Sequence, residues 1–86
     1  MTVLIPPPLH SYTRGVSRVS AEGDTLRDVL ARLDARFPGI RFRIVDEQDE
    51  IRPHIKFFVD GTMARGIEQQ VAPGSEVMIV CALSGG

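Results

Sequence analysis

Few groups in this chain have the type and spacing to do chemistry. One cysteine, Cys81, and two histidines, His10 and His54, stand among 86 residues, and the densest run of carboxylates is Asp46, Glu47, Asp49 and Glu50. Cys81 alternates with Val80 and Ala82 beside Ile79 and Leu83, which is the setting of a buried small hydrophobe. A nucleophilic thiol needs electropositive neighbours, and this segment supplies none. His54 has no carboxylate or serine partner at a recognisable spacing and reads as structural. No metal is expected, because the histidines and cysteine lack zinc spacing and the acidic run lacks the alternating ligands, turn glycine and closing glutamate of a calcium loop. Phosphate-binding glycine loops, the nucleophile elbow, H-E-x-x-H and C-x-x-C are all absent from the sequence. One candidate is left, the final Ser84-Gly85-Gly86. Three residues beyond a sheet extend about 10 Å, and glycine, having no Cβ, can enter a narrow channel and bring a carboxylate to a reactive phosphate. The reacting group would then be the end of the chain; the bland alternative is a frayed terminus.

The elements that must position such a tail have to come from one small domain. A chain of 86 residues has room for a single core and none for the cavity of a large enzyme. Its composition, 43% hydrophobic and 24% charged, is that of a folded globular protein and indicates neither disorder nor a membrane span. Ten Lys and Arg against eleven Asp and Glu, for a net charge of −1, give no one-signed field, so no nucleic-acid partner is expected. A single cysteine excludes an internal disulfide. With no basic leader ahead of Met1–Ile5 and no apolar run near membrane-spanning length, the expected location is cytoplasmic, with no membrane partner.

The strongest periodicity runs from Thr25 to Phe37, where Leu26, Val29, Leu30, Leu33 and Phe37 share one helical face. Thr25-Leu26-Arg27-Asp28 fits a capping box, Pro38-Gly39 stops the helix, and Arg27, Asp28, Arg32, Asp34 and Arg36 form a solvated face. Period-two patterns at Thr2–Ile5, Gly15–Ala21, Pro53–Asp60 and Ser75–Leu83 predict strands, the first two as a hairpin with a long, proline-stiffened connection over Pro6–Thr13. Asp60-Gly61 is a turn signal. Arg41–Arg52 is polar and reads as a surface loop, and Thr62–Val71 holds either a short strand or one helical turn. The expected fold class is α+β, a roll with one main helix packed on one face of a mixed sheet of four to five strands. Val3, Ile5, Ile55, Phe57, Val59, Val77 and Ile79 should then meet the helix at Leu26, Val29, Leu30 and Leu33. Phe58, Met78 and Val80 fall on the opposite, uncovered side, where an apolar patch near the tail suggests a docking surface.

Element order and tail together resemble the ubiquitin-like β-grasp sulfur carriers of the MoaD/ThiS family over nearly the whole chain. The resemblance is carried by Gly23-Asp24-Thr25-Leu26 with Leu30 and Leu33, by Arg52–Gly61 as central strand and turn, by Pro73–Val77 entering the last strand, and by Ser84-Gly85-Gly86. The long connection after Ile5 and the Arg52-Pro53-His54 strand entry look most similar to the CysO-type stand-alone carriers. The family implies a domain over residues 1–83 and a flexible Ser-Gly-Gly tail over 84–86.

It also implies that the chain is no enzyme but a substrate and carrier, with no catalytic residue and no bound cofactor. A ubiquitin-activating-type adenylyltransferase of the MoeB/ThiF kind would use MgATP to adenylate Gly86, with Ser84 and Gly85 giving passage and the face of Phe58, Met78 and Val80 docking. A sulfur donor such as a persulfide protein would then leave a thiocarboxylate, for a downstream synthase making cysteine, molybdopterin, thiamin or a related metabolite. With Gly86 last in the sequence, no clipping is expected before activation. Two other readings stay open: a protein modifier joined to lysines through Gly86, and a β-grasp binding module whose glycines are incidental.

Overall fold

The computed structural model describes residues 1–82. Its strands and helices, in chain order, are β1 (Thr2–Leu4), β2 (Arg18–Ser20), α1 (Leu26–Arg36), α2 (Ile40–Ile44), β3 (Ile55–Val59), β4 (Thr62–Met63) and β5 (Glu76–Cys81). The sheet order is β2-β1-β5-β3-β4. β1 and β2 form the expected antiparallel pair, with Val3 opposite Val19. β5 lies at the centre, parallel to β1 with Val3 opposite Val77, and antiparallel to β3 with Phe57 opposite Ile79. Parallel neighbours need a long connection between them, and here that connection carries both helices and leads α1 across one face.

α1 starts where the sequence signal placed it. The Thr25 hydroxyl accepts the Asp28 amide at 3.3 Å, and the Asp28 carboxylate accepts the amides of Thr25 at 3.3 Å and Asp24 at 3.0 Å. These amides would otherwise lack partners at a helix start. Leu26, Val29, Leu30 and Leu33 are buried against Val3, Ile5, Ile55, Phe57, Val77 and Ile79, as the register requires, while Val59 and Phe37 pack half-buried at the core's edge. The two-residue Asp60-Gly61 turn joins β3 to β4, with φ of 49° and 86°. Both central residues are left-handed, as the type I′ hairpin turn demands, and glycine takes the second place without a Cβ penalty.

Three stretches depart from the sequence-based expectation. Arg41–Arg52 is not simply a polar loop: α2 occupies its start and buries Ile40 and Ile44, and Val45 follows them into the core. Two arginines and Phe42 between those aliphatics hide a one-turn i, i+4 pair from any longer periodicity window. Of the two options over Thr62–Val71, the structure takes the short strand β4, and adds a single bridge from Gln70 to Thr25. The second predicted strand is trimmed to Arg18–Ser20, because Pro7–Leu9 forms a 3-10 turn, Thr13 is buried with its hydroxyl donating to the Val16 carbonyl at 2.7 Å, and Val16 is exposed.

The charged face of α1 is also less idle than a solvated face. Arg27 pairs with Asp49 at 2.8 Å and with Glu68, and Arg41 of α2 pairs with the same Asp49. Asp34 accepts the amides of Gly39 at 3.1 Å and Arg41 at 3.2 Å, and Arg36 donates to the Ser20 carbonyl at 2.8 Å. Helix, α2 and the loop over 46–50 are thus tied together through charge.

Two outcomes test this account. Leu30→Ala should cost about 2 to 5 kcal/mol in urea unfolding, because the site is closed on all sides and leaves a cavity. Hydrogen bonds from Arg27 and then Arg41 hold the Asp49 carboxyl below its ordinary range. The folded state therefore binds fewer protons than the unfolded chain, so this contribution is present above about pH 4 to 5 and is lost as pH falls through the folded value. Asp49→Asn should flatten the decline of the thermal midpoint below that pH while changing its slope little at neutral pH; an unchanged acid limb would mean that the pairs carry no stability.

Candidate functional site

Position of the tail follows from the last ladder contacts of the sheet. Ile55 pairs with Cys81, and the Ala82 amide donates to the His54 carbonyl at 2.8 Å. The final described residue is therefore sewn to the entrance of β3. Ser84, Gly85 and Gly86, the predicted reacting and passage residues, lie outside the described residues, as does Leu83. Four residues beyond Ala82 reach at most about 14 Å when extended.

The open face of the sheet carries the predicted docking residues. Phe58 stands opposite Met78, and Val80 opposite Lys56. Met78 is 37% exposed, while Phe58 and Val80 are half-buried, so the patch is flatter than three projecting side chains would make it. Sequence reasoning missed two members: Leu4, opposite Met78, and Met63, opposite Phe58 and 53% exposed. The result is an apolar row of Leu4, Met78, Phe58 and Met63 running across four strands. Period two in β1 flags Leu4, but Met63 lies in a strand too short to show periodicity. Beside the row, the proline turn and β5 enclose a shallow groove of about 350 Å³ lined by Leu4, Pro6, Pro8, Met78 and Val80.

Around the sheet's end lies a second hollow, of about 380 Å³, lined by Pro8, Phe42, Arg43, Arg52, His54 and Cys81. Here the structure corrects two expectations. Cys81 is half-buried rather than buried, because the covering elements stop short of the strand's end. It also shares this hollow with cationic side chains that are remote in sequence, so the electropositive surroundings missing from its own segment arrive through the fold. His54 is exposed, and no hydrogen bond joins its ring to any described residue; His10, by contrast, lies 2.9 Å from the Ile5 carbonyl through Nε2. The acidic loop is a solvated turn in which Asp46 accepts the amides of Gln48 and Glu50. Among the described residues no three His, Cys, Asp or Glu side chains gather as a metal site, and no helix is long and apolar enough to cross a membrane.

With this geometry in view, likeness to known proteins is informative. The ThiS family model matches residues 3–86. The sulfur carrier protein CysO of Mycobacterium tuberculosis is 35% identical over 91 aligned positions, covering 100% of this chain and 98% of the relative. Among solved structures, a chain of the Amycolatopsis orientalis BexX/CysO complex superposes with a TM-score of 0.92 at 32% identity, covering 99% of this chain and 98% of that one. CysO of Mycobacterium tuberculosis gives 0.90 at 33%, covering 95% and 98%. The small archaeal modifier protein 1 of Methanosarcina acetivorans, at 0.82 and 23% identity over 99% and 94% of the two chains, shares the fold. The architecture is the ubiquitin-like β-grasp.

The division of the sheet into a closed and an open face predicts a contrast in stability. Phe58→Asp and Val80→Asp should each cost less than about 1.5 kcal/mol in urea unfolding, since the new carboxylate reaches solvent, well below the cost of the same change at Phe57 or Ile79. Equal costs on both faces would show that the apolar row is part of the core.

Proposed function

This chain belongs to the ThiS family, and we propose that it is a sulfur carrier protein whose Gly86 carboxylate is activated and thiolated by partner enzymes. The single observation that carries this reading is the identity to CysO over the full chain, with the family match running through Ser84, Gly85 and Gly86. The geometry supports it, because Ala82 is fixed at the sheet's end and four further residues are enough to span up to about 14 Å into a partner.

The chemistry follows from the weakness of a carboxylate as an electrophile. A partner adenylyltransferase of the MoeB/ThiF kind, using MgATP, lets the Gly86 carboxylate attack the α-phosphorus, with pyrophosphate leaving. Sulfide then adds to the acyl carbon and AMP departs, leaving the thiocarboxylate; from a persulfide donor, the same attack gives an acyl disulfide that a thiol reduces. This chain supplies the acyl group, its presentation, and a docking face of Phe58, Met78 and Val80. Catalysis resides in the partners, and the terminal sulfur goes to a downstream synthase making cysteine, molybdopterin, thiamin or a related metabolite. Residues 1–83 act as the single carrier domain and 84–86 as its tail, working in the cytoplasm where such synthases and ATP are found.

The test is ATP–pyrophosphate exchange with the cognate activating enzyme. Deleting Gly86 withdraws the carboxylate by about 3.5 Å, beyond the positioning that in-line attack tolerates, so exchange should fall by about 100-fold or more with the fold intact by circular dichroism. Gly85→Val should also block exchange by adding a branched side chain to the tail, and Ser84→Ala should be milder. Phe58→Asp and Val80→Asp should weaken enzyme binding without unfolding the carrier. Full exchange by the Gly86 deletion would reject the carrier reading in favour of a binding module. Intact mass from the native host separates the rest: thiocarboxylate formation adds about 16 Da, whereas a modifier gives ladders of conjugates.

A further inference from the structure

We propose that the hollow at the tail end of the sheet, between Arg43, Arg52 and His54, receives a carboxylate-bearing peptide segment of the protein that works on the tail. The first reason is charge. None of the residues lining the hollow is acidic, in a chain whose net charge is only −1. Of the other arginines, Arg27 pairs with Asp49 and Glu68, Arg41 with Asp49, and Arg36 donates to the Ser20 carbonyl. Arg14, Arg18, Arg32 and Arg65 are unpaired among the described residues but do not line this hollow. Arg43 and Arg52 pair with no acid among the described residues.

The second reason is that both guanidinium groups are already oriented without being neutralised. Arg43 lies over the Tyr12 ring, 5.9 Å from its centre, and Arg52 donates from Nε to the Phe42 carbonyl at 2.6 Å. The two Nη atoms of Arg52 have no partner among the described residues, which leaves a planar pair of donors of the kind that carboxylates accept from. Holding the side chains in advance lowers the entropy that a ligand must overcome.

The third reason separates a peptide from other anions. Phe42, 55% exposed, stands at the rim with Pro8, and an aromatic and a proline beside cations favour a ligand that brings apolar side chains along with its carboxylates. A volume of about 380 Å³ suits two or three side chains, near the low end of the range of about 300 to 1,000 Å³ for ligand sites. A nucleic acid would ask for a cationic track along many phosphates, which two guanidinium groups in one hollow do not provide.

Position completes the argument. The Ala82–His54 contact puts the hollow beside the tail's exit, and it shares Pro8 and Cys81 with the apolar groove on the open face. A partner that covers that face and encloses the tail must pass over the cations. The inference rests on the proposed function for why a partner comes to this end; its test makes no use of Gly86.

The experiment is an amide chemical-shift titration of the full chain with the peptide acetyl-Asp-Glu-Phe-Glu-Asp-amide, its Asn/Gln counterpart, and inorganic phosphate, at about 0.01 M ionic strength, where the screening length is ~30 Å. The acidic peptide should shift Phe42, Arg43, Arg52, His54 and Cys81 and leave Arg18 and Glu76 in place, and raising the salt to about 0.15 M should weaken it severalfold. Arg43→Gln with Arg52→Gln should lower its affinity by about five- to tenfold, as two partly exposed ion pairs would. Arg43→Gln alone, which leaves the Arg52–Phe42 contact intact, should lower it by about two- to threefold and guards against a folding defect in the double variant. Equal shifts by the neutral peptide, undiminished binding by the single and double variants, or saturation by phosphate with no response to the acidic peptide would each overturn the proposal. Failure of pyrophosphate exchange with peptide binding intact would instead reject the carrier reading alone.

Discussion

The parallel pairing of β1 with β5, Val3 opposite Val77, is the contact on which the rest of this structure depends. Two parallel neighbours cannot be joined by a tight turn, so the chain between them must leave the sheet and return, and the apolar stripe of α1 needs a flat surface to bury. Both needs are met when α1 crosses the face that carries Val3, Phe57, Val77 and Ile79. The same pairing puts the last strand in the middle of the sheet, with β1 on one side and β3 on the other. The C-terminal segment therefore leaves from the most firmly held strand rather than from an edge.

Strand periodicity then divides labour between the faces. Ile55 and Phe57 in β3, and Val77 and Ile79 in β5, are consumed by the core, and the intervening Phe58, Met78 and Val80 are excluded from it by the same pleat. Leu4 and Met63 extend that row because their cross-strand partners are Met78 and Phe58. An apolar row on the outer face adds little to the core, and it leaves Met78 and Met63 exposed.

A smaller interaction decides how the tail's surroundings are built. Asp49 accepts from Arg27 of α1 and Arg41 of α2, and Asp34 caps the amides at the start of α2. Exposed pairs of this kind are individually weak, but they act on a one-turn helix that has little stability of its own. Gly39, with φ of 95° and the Tyr12 ring 3.3 Å from where a Cβ would sit, makes the sharp entry that no other residue takes without strain. Together they fix α2 so that Phe42 and Arg43 face the end of the sheet while Ile40 and Ile44 are buried.

By itself the sequence determined whatever depends on neighbours in the chain. The Thr25–Asp28 capping box, the helical face of Leu26, Val29, Leu30 and Leu33, the Asp60-Gly61 turn and the inward parity of Val77 and Ile79 are all set within a few residues of each other. So is the presence of Ser84-Gly85-Gly86 after the last strand. Tertiary structure alone decided what depends on residues brought from afar. α2 was illegible because one turn flanked by arginines has no periodicity to read, and only packing against the core shows that Ile40 and Ile44 are inside. The half-exposed state of Cys81 and its company with Arg43, Arg52 and His54 follow from where strands end and loops fold back. No pattern local to any one of those residues records that meeting, because it is made by three separate segments converging on the end of one sheet.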